Sequence, residues 1–163
     1  MNKQEIIDKI NKTKQHLTDL EQMLEKLGCD RWKPEPKEEY YYVNQASATS
    51  MAVNYKFDID AARYEAYNCF ETKEEAKLEA EKILVRRQLE DIARRLNKGQ
   101  EINWSDENQY KWYIIYNTTF GFETYSVSET TVQGVVYCLD KNFLNTAIKE
   151  VGEGRLIKYL RGK

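Results

Sequence analysis

Histidine, proline and glycine are scarce in this chain, with one His, two Pro and seven Gly among 163 residues. The lone histidine, His16, falls in an N-terminal helical segment, so Ser/His/Asp and Cys/His nucleophile systems would lack a well-placed base. The glycines form neither a GxGxxG nor a GxxxxGK[ST] phosphate loop. Cys29, Cys69 and Cys138 lie far apart without a CxxC pair, and with one histidine they are too few for a structural zinc site. They read as reduced thiols, with Cys69 and Cys138 as small core residues. Long apolar runs are also missing, and the mean hydropathy of -0.78 argues against a membrane-spanning helix. The opening MNKQEIIDKINKTK is charged throughout, unlike a signal peptide, which predicts an intracellular location. Neither charge sign dominates: 25 Lys and Arg stand against 27 Asp and Glu, for a net charge of -2. That balance excludes wholesale coating of nucleic acid.

What is present is strongly patterned. Ile6, Ile10, Thr13, Leu17, Leu20, Leu24 and Leu27 succeed one another at spacings of 4, 3, 4, 3, 4 and 3, a heptad seam closed by Gly28. Residues 1–28 therefore read as a coiled-coil-type helix. It either joins copies of the chain into a homo-oligomer or folds back on its own domain. Lys9 and Lys14 occupy g and e positions, so parallel pairing would oppose like charges. Pro34 and Pro36 then make 29–39 an extended linker.

Residues 40–163 predict an α+β domain of two β-β-β-α units, 40–99 and 100–163, whose antiparallel sheet is covered by helices. In the first unit the strands are YYYVN, the alternating MAVNYKFDI and RYEAYNCF. Met51, Val53, Tyr55, Phe57 and Ile59 share one face of the second, which predicts their burial. Thr72 and Glu75 form a capping box for a helix running to about Asn97, its buried stripe including Ala76, Ala80, Ile83, Leu84, Ile92, Ala93 and Leu96. The second unit offers KWYIIYNTT, GFETYSVSE and TVQGVVYCL as strands, then a helix capped by Asp140 and closed by Gly152. A short helix, GRLIKYLRG, ends the chain.

Candidate chemistry is thin. Asp58 and Asp60 form a DxD, which fits a strand end or turn better than a metal site. Arg86, Arg87, Arg94 and Arg95 make two basic doublets; Glu90 and Asp91 stand four residues before Arg94 and Arg95, the favourable order for helical ion pairs. Arg86 and Arg87 have no acid four residues earlier and, with Arg155, Lys158 and Arg161, are the candidate nucleic-acid contacts. Twelve tyrosines are the composition's oddity, and runs such as YYY and WYIIY exceed what alternation can bury. Tyr40, Tyr42, Tyr64 and Tyr113 are the candidate partner-binding aromatics.

The segments WxP at Trp32–Pro34, YYYV at Tyr40–Val43, RYxxxNCFxTKEEA at Arg63–Ala76, INWSDENQYKWYIIY, and IKEVGExRLxKY at Ile148–Tyr159 together span most of the chain beyond its first helix. On these residues the sequence resembles a family of small accessory proteins of phages and prophages of Gram-positive bacteria. The resemblance carries no catalytic signature. It implies a phage protein in the cytoplasm of a bacterial host cell, and the residues themselves predict neither cofactor nor metal. The expected function is non-enzymatic inhibition of a host defence system, anti-CRISPR-like, by docking on a host protein. The alternatives are nucleic-acid binding and sequestration of a nucleotide signal.

Overall fold

A computed structural model describes residues 3–27 and 31–162; within the first helix, side chains are described at positions 6, 7 and 9–20. Among the described residues the fold is mixed α and β, with five helices and two antiparallel two-stranded sheets. Helix α1 is Lys3–Leu27. Every described side chain on it is exposed, Ile6, Ile10, Leu17 and Leu20 included. The expected coiled coil is thus a single helix within this chain, and the described part of its seam does not fold back onto the domain. Leu24 and Leu27 lie outside the described side chains.

The first hairpin pairs β1 (Glu39–Val43) with β2 (Thr49–Val53), Tyr41 facing Met51. Asn44 closes it, its Oδ1 accepting from the Ala46 and Ala48 amides. The predicted third strand is absent as a strand: Asp58–Glu65 is helix α2, and one bridge remains where Tyr41 and Phe70 exchange backbone hydrogen bonds of 3.0 and 2.9 Å. The second half repeats this plan. Strands β3 (Lys111–Asn117) and β4 (Gly121–Val127) form a hairpin, and Trp112 exchanges two bonds with Cys138 at 2.7 and 2.8 Å. Each sheet therefore has two strands and a single bridge, where three strands were expected. Gly134, at φ +84°, turns the chain before the second bridge can lengthen.

Helix α3 (Lys73–Leu96) starts at the predicted capping box: Thr72 Oγ1 accepts from the Glu75 amide and Glu75 Oε2 accepts from the Thr72 amide. Its buried residues are Ala76, Ala80, Val85, Leu89, Ile92 and Ala93. Leu84 is exposed and Ile83 and Leu96 are half-buried, so the predicted stripe is corrected in its middle. The step of five residues from Ala80 to Val85 rotates the stripe where the helix passes from β1 and β2 to the second half.

There Val85, Leu89, Ile92 and Ala93 meet Ile114, Cys138, Phe143, Ala147, Val151 and Leu156 in one core. The last four lie in or beside α4 (Phe143–Val151) and α5 (Glu153–Arg161), Leu156 being wholly buried on α5. Burial of a side chain such as Phe143 contributes about 1.5–3 kcal/mol. Gly152 serves as C-cap of α4 and N-cap of α5 at φ +93°, a backbone conformation natural to glycine. Asp140, expected to cap α4, lies two residues before its N-cap Asn142, and its Oδ1 accepts from the Asn142 amide in the preceding turn. None of the helices described is long and apolar enough to cross a membrane.

Candidate partner-binding surface

The segment between β2 and α2 is built around Asp60. This carboxylate is buried, with 7% exposure, and accepts at both oxygens. Oδ1 takes the Tyr40 hydroxyl at 2.7 Å, while Oδ2 takes the backbone amides of Tyr55 and Phe57 at 3.1 Å each. Arg63 donates to the Tyr40 hydroxyl oxygen at 2.8 Å and stacks over the Tyr42 ring at 3.8 Å. Burial alone would push the Asp60 carboxyl up, but the bonds from Tyr40, Phe57 and Tyr55 and the Arg63 charge outweigh it and hold the group below the ordinary range. Burial also pushes the Tyr40 phenol up to about 12, against the Arg63 bond and with the help of Asp60.

Asn54 anchors the other end of the segment. Its Nδ2 donates to the Pro34 carbonyl at 2.6 Å and its Oδ1 accepts from the Lys56 amide at 3.0 Å. Lys56 sits at φ +61°, so the chain leaves the extended path there. Of the alternating face predicted to be buried, Val53 alone is half-buried and the other four residues are turned outward. Met51, Tyr55, Phe57 and Ile59 are 54, 59, 63 and 53% exposed, each more than half. The Tyr55 and Phe57 rings lie 5.9 Å apart. A run of this kind held by buried polar anchors is a rigid apolar projection, unusual for a surface that only faces water.

Beyond α2 a second aromatic group adjoins the linker. The Arg31 guanidinium lies 4.2 Å from the Tyr64 ring centre and 4.1 Å from that of Tyr67, and the Lys33 ammonium 5.0 Å from Tyr64. Tyr67 is 76% exposed at φ +58°. Arg31 Nη2 is buried without a hydrogen-bond partner among the described residues.

Of the aromatics singled out from the sequence, Tyr40 is wholly buried and supports the surface from below. Tyr42 and Tyr64 are half-buried beside cations. Tyr113 belongs to the other half, stacked on Tyr125 at 6.1 Å and edge-on to Tyr137 at 5.6 Å. Tyr40 and Tyr42 come together, their rings 6.2 Å apart beside Arg63, while Tyr113 lies on the other hairpin. The residues that project, Met51, Tyr55, Phe57 and Ile59, were masked by their own alternation. The acidic pair Asp58 and Asp60, ordinary in the first turn of a helix, was the signal that could have revealed them.

Of the five basic candidates, Arg86 and Arg155 are paired with acids. Arg86 Nε meets Glu90 at 2.9 Å, so Glu90 serves Arg86, and Asp91 serves both Arg94 and Arg95 at 2.9 and 3.0 Å. Arg95 also reaches Glu150 on α4 at 2.5 Å, and Arg155 pairs with Glu81, tying α5 to α3. Arg87 donates to the Ser47 hydroxyl at 2.6 Å, a neutral partner. Lys158 and Arg161 lie exposed along α5. A groove of about 390 Å³ runs beside Arg87, Arg95 and Arg155 with Leu84, Ile92 and Val151 in its lining. No group of three or more His, Cys, Asp or Glu is placed to hold a metal ion among the described residues.

No family model, no curated protein and no solved structure matches the chain.

Proposed function

We propose that this protein acts by binding and not by catalysis, docking on a partner protein through the Asp60-anchored projection of Tyr55 and Phe57. The observation that carries this reading is the outward run of Met51, Tyr55, Phe57 and Ile59, with the Tyr55 and Phe57 amides held by the buried Asp60 carboxylate. Aromatic side chains held rigid before contact lose little conformational entropy on binding and are the usual anchors of protein interfaces. The phage setting implied by the sequence resemblance makes the partner a host protein, with a defence effector such as a CRISPR nuclease as the first class to test and inhibition as the outcome of docking.

The test is capture from nuclease-treated lysate of a Gram-positive host, followed by reconstitution with the purified partner. The expected result is one stoichiometric host protein whose binding is lost in Tyr55→Ala/Phe57→Ala and kept in Arg86→Glu/Arg87→Glu. Thermal unfolding would show that both variants remain folded. Recovery of nuclease-sensitive nucleic acid alone, or equal binding by the aromatic variant, would overturn the reading.

A further inference from the structure

Helix α1 carries an apolar seam that its own domain leaves bare, with Ile6, Ile10, Leu17 and Leu20 between 42 and 57% exposed. We infer that a second copy of this chain covers it, the two helices running antiparallel with Leu17 of each opposite Leu20 of the other. The inference is independent of the docking face on β2 and α2.

Three observations point to this occupant. From Ile10 to Leu27 the seam is self-complementary, for setting position 17 against 20 also sets 10 against 27 and 13 against 24, apolar positions throughout that stretch except Thr13. Thr13 does not spoil that layer, because its hydroxyl already donates to the Lys9 carbonyl at 2.9 Å within its own helix. Charge then chooses the direction. A parallel pair would bring Lys9 of each helix against Lys14 of the other, two repulsions per dimer. The antiparallel register instead opposes positions 14 and 21, a lysine and a glutamate in the sequence, twice per dimer. Burying bare leucine and isoleucine supplies the driving force.

Charge reversal at one exposed position separates the arrangements. Sedimentation equilibrium of the full chain over a wide concentration range should show a monomer–dimer equilibrium, abolished in Leu17→Glu/Leu20→Glu. Lys14→Glu should weaken the dimer, on the order of ten-fold, by opposing two glutamates on each side. Lys14→Glu/Glu21→Lys should restore it. Tightening or no change in Lys14→Glu overturns the antiparallel register, because in a parallel pair the new glutamate would face Lys9. A wild-type chain that stays monomeric throughout, or a dimer that persists in Leu17→Glu/Leu20→Glu, overturns the self-association itself.

Discussion

Tyr40 and Asp60, twenty residues apart in sequence, share a 2.7 Å hydrogen bond with both groups buried. The phenol cannot ionise there without losing its bond to a carboxylate and its apolar surroundings. The carboxylate cannot take up a proton without weakening the two amide bonds that hold Tyr55 and Phe57. One pair thus ties the hairpin interior to the projecting loop.

Tyr40→Phe leaves Asp60 buried with one acceptor site unmet, a loss of about 1–3 kcal/mol. Thermal unfolding at neutral pH should show a lower midpoint. The pH dependence has two limbs. The Asp60 pKa is depressed in the folded state, so its stabilisation is present above the ordinary carboxyl range and is lost as pH falls through the folded value. The Tyr40 pKa is raised to about 12, so its contribution is complete below the ordinary phenol value and is lost as pH rises towards 12. Denaturant titrations should show the alkaline limb flattened in Tyr40→Phe.

Lys111 is wholly buried, and its ammonium donates to the carbonyls of Asp106 at 3.0 Å and Ser128 at 2.7 Å, 5.3 Å from the Trp104 ring centre. It fastens the loop before β3 to the chain leaving β4. Lys111→Met keeps the aliphatic stem but strands two carbonyls. Amide exchange should accelerate in both 103–110 and 128–132, with a change in Trp104 fluorescence.

Gly152→Ala meets no neighbouring atom, so any cost comes from the backbone at φ +93°. Strain of about 1–3 kcal/mol is expected. Urea unfolding should register it as a lower midpoint with unchanged slope.

Cys69 and Cys138 are buried free thiols whose ionisation burial pushes up. Both should resist an aromatic disulfide reagent at neutral pH in the native protein and react on unfolding. Fast labelling of Cys138 would mean that its packing beside Asn97 opens readily.

The helices were legible where their ends are written in local chemistry. Thr72 and Glu75 announce α3, and Gly152 closes α4, because capping depends on residues within one turn. The candidate site was not legible for the opposite reason. Alternation from Met51 to Ile59 fits a buried strand as well as an exposed loop, and the choice was made by Asp60 reaching back to the Phe57 amide and across to Tyr40. Likewise CF at 69–70 and YC at 137–138 carry strand-like residues, yet each contributes one bridge, since the chain between hairpin and bridge is taken up by α2 or by the Gly134 turn. Ion pairing misled in the same way: Glu90 could serve an arginine on either side, and only side-chain placement settles on Arg86.

Helix α3 belongs to two interiors at once, its first turns lying on β1 and β2 and its later ones on α4 and α5. The halves that look separable in sequence therefore lack separate foundations. Cutting the chain near residue 99 would leave Val85, Leu89, Ile92 and Ala93 facing water on the helix that supports the first hairpin. The two halves should melt together, as one cooperative body, although each repeats the other's plan.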